Sequence, residues 1–345
     1  MRLRPSLVLV LVGLAGTLVP SPALAGSKGG GGPAVPFTQA DCGDDVDVSV
    51  RLTEDVDCSG VATDAIRIDA DGISVDLAGH RLIAAYGYSA VVTDYHSGIV
   101  VTGGTIEVSG QGIGVYAYYG TNIRVSALTV VGSGVSEGRG VFCYTSTSMT
   151  VTGLVASQLG SGIESEYCTI ALASSTLSDN RYGYYSFYDS QVSVTGLTVR
   201  RNERGVFDDG TARLSISRSL AEENNFGFYL HPDGSGIVTV TGCTARRSSY
   251  TADYDPEIGA YDGIGFVLSA VYNHFGGRST VSSSIASENE HYGFYLYHPG
   301  PTVFKGNSAL SNGDDGVYVY EAYGSYGPVW GSNDIARDNS GYGLY

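Results

Sequence analysis

The sequence predicts an all-β solenoid, built of short parallel strands wound into stacked coils of about 22 residues. Three observations carry that expectation. A glycine motif recurs along the chain, an asparagine keeps step with it, and the stretches between them alternate apolar residues with Ser or Thr. No segment shows a helical period.

The glycine motif comes first: glycine, an apolar residue, then usually an aromatic. It reads Gly114-Val115-Tyr116, Gly140-Val141-Phe142, Gly183-Tyr184-Tyr185, Gly205-Val206-Phe207, Gly227-Phe228-Tyr229, Gly293-Phe294-Tyr295, Gly316-Val317-Tyr318 and Gly343-Leu344-Tyr345, with weaker copies at Gly162 and Gly265. Successive glycines lie 26, 22, 21, 22, 22, 38, 28, 23 and 27 residues apart, so the base period is 22 with insertions. Asn180, Asn202 and Asn224 precede their glycines by three residues, and Asn289, Asn312 and Asn339 by four. That row is expected to form an asparagine ladder at one corner, because Asn tolerates left-handed backbone and bonds neighbouring main chain. Between glycines, runs such as Gln191-Val192-Ser193-Val194 alternate as half-buried strands do. Stacked coils then pair in parallel about 4.8 Å apart.

Alternation assigns the faces. Residues one and three after each glycine, such as Val141/Cys143 and Phe228/Leu230, form the predicted core, with Asp208 expected at a turn edge. Residues two and four form an outward stripe: Tyr116/Tyr118, Phe142/Tyr144, Glu164/Glu166, Tyr185/Phe187, Phe207/Asp209, Tyr229/His231, Val267/Ser269, Tyr295/Tyr297 and Tyr318/Tyr320. The rings can simply stack and stabilise the sheet. They can also bind sugar rings, which offer C–H faces and hydroxyl rims to tyrosine, or a partner protein.

The chain starts as an export signal does: Arg2 and Arg4, an apolar run from Leu7 to Val19, and Ala23-Leu24-Ala25 as a cleavage site. Residues 1–25 are therefore expected to be a signal peptide, 26–40 a Gly/Ser/Pro-rich linker, and 41–345 the β-domain, with 41–60 as its cap. No later apolar stretch has the length of a membrane span. Losing the two signal arginines takes the formal charge from −16 to −18, which disfavours nucleic acid as a partner. The expected location is extracellular or periplasmic. Of five cysteines, Cys42 and Cys58 are close in sequence and expected to pair. Such a closed loop contributes about 3 kcal/mol in the entropic treatment. Cys143, Cys168 and Cys243 occupy different places in the repeat and are expected as buried thiols.

With these residues in place, the chain resembles the right-handed parallel β-helix repeat superfamily that includes the pectin lyases and NosD-type proteins. The opening block strengthens the resemblance: Cys42-Gly43-Asp44, Leu52-Thr53-Glu54-Asp55-Val56-Asp57-Cys58 and Asp71-Gly72-Ile73-Ser74-Val75-Asp76-Leu77-Ala78-Gly79-His80. Many exported members read Asp-Leu-Asn-Gly-His at the end of that block, and Ala78 departs from it. The resemblance spans roughly 41–345 and implies a single-stranded right-handed parallel β-helix. It leaves activity open, since one scaffold serves many chemistries. Phe226-Gly227-Phe228-Tyr229-Leu230-His231-Pro232-Asp233 resembles the Tyr-Gly-Phe-Asp-Pro-His motif of alginate epimerases, but the Asp before Pro is missing, so that activity is not carried over. Two methionines, one of them Met1, and scattered histidines argue against copper handling.

Charges interrupting the stripe are the catalytic candidates. Glu164 and Glu166 lie two apart on one strand, hence about 6.8 Å apart on one face. Asp209 and His231 fall at equivalent places on neighbouring coils, an acid–base arrangement if they hydrogen-bond. Arg139, Arg181 and Arg204, which precede successive motif glycines, could stabilise the carboxylate of a uronate in a lyase, but are read first as solvated corners. The 38-residue interval carries an insertion with Asp253, Asp255 and Glu257, whose carboxylates could hold Ca²⁺. The expected function is binding of extracellular polysaccharide or cell-surface glycan, with cleavage or epimerisation open. The alternative is a non-catalytic surface or protein-binding module. The chain stops at Tyr345 just inside a repeat, which is expected to leave an open edge.

Overall fold

The structure is a computed structural model. It describes residues 33–345 apart from 135–136, 146–147, 234, 250, 252–253, 256–259, 270–276, 298, 321–328 and 344–345. The backbone is nearly all β, a parallel solenoid of about 11 turns with ~24-residue coils. One parallel sheet of 12 strands carries the glycine motifs and runs from Asp44–Val46 through Arg139–Tyr144, Ser161–Glu166, Tyr182–Phe187, Arg204–Asp209 and Phe226–His231 to Val317–Tyr320. The remaining long strand set wraps the other sides of each coil. Register advances by 22 residues where no insertion intervenes, as in Tyr182↔Arg204 and Arg204↔Phe226. Insertions lengthen the average coil. One of them contributes a small antiparallel pair, Tyr254–Asp255 with Ala260–Tyr261.

β-structure begins earlier than the linker expectation placed it. Val35–Phe37 pairs with Val50–Leu52, and Phe37 is buried in the core. The residues expected to form the signal peptide and the glycine tether lie outside the described residues.

The glycines serve close approach rather than special backbone angles. A Cβ on Gly140 would meet the Gly162 carbonyl oxygen at 2.3 Å, and one on Gly183 the Gly205 oxygen at 2.4 Å. No side chain fits in that column. Each glycine also kinks its strand, so that it and the next residue both face inward: in Arg139–Tyr144 the outward residues are Arg139, Phe142 and Tyr144. The residue before each glycine therefore joins the outward face, which strict alternation does not reveal.

The asparagine ladder is present, with one correction. Asn202 Nδ2 donates to Asn224 Oδ1 at 2.9 Å, and Asn289 and Asn312 continue the pattern toward Asn339. The left-handed residue at this corner is the one before each asparagine: Asp179, Arg201, Glu223, Glu288, Ser311 and Asp338 have φ between 52° and 58°. Asparagine is buried there and caps main chain of the adjacent coil, as in Asn180 N–H to Asn202 Oδ1 at 3.0 Å.

Cys42 and Cys58 form a disulfide, as expected. Cys143 and Cys168 form another, against expectation, while Cys243 is a buried free thiol. The repeat offset misled because Cys168 lies just past a corner. Tyr167 takes φ 56°, which turns Cys168 back inward to within 6.4 Å, Cα to Cα, of Cys143 on the preceding coil.

Asp208 is also corrected. It is fully buried, inward-facing and bonded by Ser186 Oγ at 2.7 Å. Nearby Asp189 is buried too, accepting from Cys168 N–H at 2.7 Å and from Ser165 Oγ. Burial pushes both carboxyl groups up to about 7, because a charged carboxylate loses its hydration there.

Candidate functional site

The outward stripe exists, and its exposure divides in two. From Tyr116 to Phe187 its rings are half-buried and stack coil on coil: Tyr116 on Phe142 at 5.3 Å and Tyr118 on Tyr144 at 5.5 Å between centroids. Further along, Phe207 is 8%, Tyr229 0% and Tyr295 4% exposed, packed with Phe226, Ile264 and Val267 into a second apolar cluster outside the solenoid core. Tyr229 and Tyr295 point outward but are covered, so they are not an open binding face. Tyr297 and Tyr318 are half-buried and Tyr320 is exposed.

A second tyrosine row borders the open part and was not anticipated. Tyr95, Tyr119, Tyr167 and Tyr188 occupy the corner after the stripe strand and are 66%, 44%, 48% and 50% exposed. All four have left-handed backbone, φ 59°, 54°, 56° and 48°. That conformation is uncommon for a bulky side chain and costs about 1 kcal/mol or more. Ring contacts bind this row to the stripe: Tyr95 stacks on Tyr119 at 5.3 Å, and Tyr188 meets Phe187 edge-on at 4.3 Å. The signal was available in the sequence as a tyrosine five residues after Gly114, Gly162 and Gly183. Gly210 ends the row, because the Tyr188 ring fills the space its side chain would need.

Glu164 and Glu166 sit in the middle of this open face, paired in register with Phe142 and Tyr144 on one side and Tyr185 and Phe187 on the other. Their environments differ. Glu164 accepts from Ser161 Oγ at 2.9 Å and faces Arg139 Nε at 2.8 Å. Burial, and then the neighbouring Glu164 charge, raise the Glu166 carboxyl above its ordinary value. Beside Glu164 lies a pocket of about 200 Å³ lined by Glu137, Arg139, Ser161, Glu164, Arg181, Tyr182 and Tyr185.

Arg139 and Arg204 are not solvated corners, because the kink at the following glycine turns them onto the stripe, whereas Arg181, two residues before its glycine, is exposed as expected. Arg139 lies over Phe142 at 4.9 Å, and Arg204 over Phe207 at 4.4 Å and Tyr229 at 5.3 Å. Such placement is worth about 0.5–2 kcal/mol per contact.

Asp209 and His231 are register partners, but their closest approach is 3.8 Å from Nδ1 to Oδ1. That exceeds hydrogen-bond length, so the two side chains stand adjacent without a direct hydrogen bond between them. Of the Ca²⁺ candidates, Asp253 and Glu257 lie outside the described residues, and only the backbone of Asp255 is described.

Residues 67–242 match the family described as NosD, periplasmic copper-binding protein. The chain belongs to the NosD family. Copper itself does not fit the described residues of this NosD member. No group of three or more His, Cys, Asp or Glu able to hold a metal occurs among them. Four cysteines are in disulfides, Cys243 is buried, and Met149 is in the core. His80, His96, His231 and His291 each stand beside aspartate on separate coils. No curated protein matches the chain. Among solved structures, it is similar to a point mutant of the periplasmic alginate epimerase AlgG, with 11% identity, 81% of this chain and 75% of that one covered, and a TM-score of 0.48. It is also similar to the A-module of the mannuronan C-5 epimerase AlgE6 of Azotobacter vinelandii, with 14% identity, 90% and 91% covered, and a TM-score of 0.40. Among the described residues no helix is long and apolar enough to cross a membrane.

Proposed function

We propose that this NosD-family chain binds polysaccharide outside the cytoplasm through its open tyrosine face. The observation that carries the reading is the corner row Tyr95, Tyr119, Tyr167 and Tyr188, exposed and held in left-handed backbone beside the half-buried stripe. Stacking within the sheet explains rings on the strands. It does not explain four exposed tyrosines at positions where glycine would be free of strain. Rings with an apolar face and a hydroxyl tip suit the C–H faces and hydroxyl edges of sugars. Two disulfides favour an oxidising compartment, periplasmic or extracellular.

Hydrolysis is a second reading, favoured by one observation. Glu164 is ion-paired with Arg139 while Glu166 is pushed toward its protonated form, a division of roles that acid catalysis with two carboxyl groups requires.

One experiment tests both. The purified mature chain is run through native gels containing soluble polysaccharides, and the same mixtures are assayed for new reducing ends. Binding is expected to slow migration, and Tyr119→Ala with Tyr188→Ala to weaken it about tenfold, which corresponds to about 1.4 kcal/mol. Unchanged binding in that double variant would sink the tyrosine-face reading. Reducing ends that vanish in Glu166→Gln establish hydrolysis, and their absence in the parent excludes it for the polymers tried.

A further inference from the structure

The pocket beside Glu164 arises from one substitution in the repeat. The residue before each motif glycine points outward, and on neighbouring coils it is large: Arg139, Tyr182, Arg204 and Phe226. On the coil between Arg139 and Tyr182 it is Ser161, preceded by Gly160. The small residue leaves a gap in an otherwise filled row. Tyr182 and Tyr185, stacked at 5.2 Å, form one wall, and the Arg139–Glu164 ion pair forms the floor.

Its charges are already balanced. Arg139 faces Glu164 at 2.8 Å, and Arg181 at the rim faces Glu203 at 3.4 Å. Glu137 adds a further exposed carboxylate. Neither guanidinium offers uncompensated positive charge to an incoming carboxylate, and the chain as a whole carries a formal charge of −16. A polyanion would meet repulsion there. Hydroxyl groups would meet fixed acceptors on the glutamates and fixed donors on the arginines, with a ring face beside them.

Resting on the glycan-binding reading above, we propose that this pocket is a subsite for an uncharged sugar unit, which makes neutral polysaccharides, not polyuronates, the ligand class of the tyrosine face. The pocket's volume suits one ring set beside a chain that runs along Tyr144, Phe187 and the corner tyrosines. Ser161 is the specificity-determining position, since a larger residue there fills the subsite without touching the open tyrosines.

The test is gel retardation of the purified chain by a soluble β-glucan, a mannan and a xylan against polygalacturonate and alginate. At least one neutral polymer is expected to retard the parent at least tenfold more strongly than either polyuronate at equal concentration. Ser161→Tyr is expected to weaken that retardation at least fivefold, as is Tyr182→Ala, whose ring is half-buried against Tyr185 and Phe207 and whose fold is checked by circular dichroism. Polyuronate binding equal to or tighter than neutral binding overturns the proposal, and so does neutral binding unaffected by either variant. In both cases Tyr119→Ala still weakens binding, so the tyrosine-face reading survives. Retardation by no polymer sinks that reading and this one with it.

Discussion

Coils between Tyr95 and Tyr188 and coils between Arg204 and Tyr297 carry the same outward aromatic pattern, yet the first set is open and the second largely closed. The difference lies in the neighbours of the stripe. In the open region the flanking corner holds tyrosines that extend the surface, and Ser161 leaves a gap. In the closed region the residues before the glycines include Phe226 and Ile264, which are apolar and buried among the rings, and Gly210 ends the tyrosine corner. A repeat pattern therefore determines which way a side chain points. What stands on the adjacent outward positions determines whether it is reachable.

The largest effect that separates the two regions is stability. Tyr229→Ala empties a fully covered site and is expected to cost about 3–5 kcal/mol in denaturant unfolding, in the range of large-to-small core substitutions. Tyr144→Ala removes a half-exposed ring stacked on Tyr118 and is expected to cost about 1 kcal/mol. Equal costs at the two positions would erase the distinction between a closed and an open stripe.

Next in size is a pH effect at the junction of the two regions, where Asp189 follows the last open coil and Asp208 lies within the first closed one. Both have folded values of about 7, against roughly 3.9 for an unfolded aspartate. Between those values the folded chain holds protons that the unfolded chain has released. Stability therefore falls as pH rises from about 4 to about 7, and levels off above, by at most about 4 kcal/mol for each group. Asp208→Asn keeps the shape without the ionisation, so it is expected to match the parent near pH 4 and exceed it at pH 8. A parent whose unfolding midpoint rises over that range relative to Asp208→Asn would contradict a neutral buried carboxyl.

The parallel solenoid, its period and the asparagine row were all legible because each rests on backbone periodicity, which the sequence repeats openly. Cys143–Cys168 was not, because its geometry depends on Tyr167 turning the corner in left-handed backbone. Asp208 was read as a turn-edge residue because charge usually signals exposure. The hydroxyl groups of Thr211 and Ser186 beside it make an inward Asp tolerable. For the site, Glu164 and Glu166 were visible as breaks in the stripe. The pocket was not, since strict alternation hides the residue before each glycine, and the kink that turns Ser161 and Tyr182 outward comes from packing glycine against the next coil's carbonyl.

The smallest expected effect is the sharpest probe of the open region. At Tyr119, φ is 54°, a conformation glycine adopts without a Cβ penalty. Tyr119→Gly relieves that strain, removes the ring contacts with Tyr95, Tyr118 and Tyr144, and adds unfolded-state freedom. Strain and contacts each amount to about 1 kcal/mol and oppose one another, so net stability is expected to change by less than about 1 kcal/mol. Polysaccharide retardation, by contrast, is expected to weaken severalfold. A tyrosine retained for stability gives the opposite result: a clear drop in unfolding midpoint with binding intact. Tyr188→Gly repeats the test at the end of the row, where Gly210 leaves no next corner ring to stack on. Agreement between the two sites would show that the strained row is kept for what it binds.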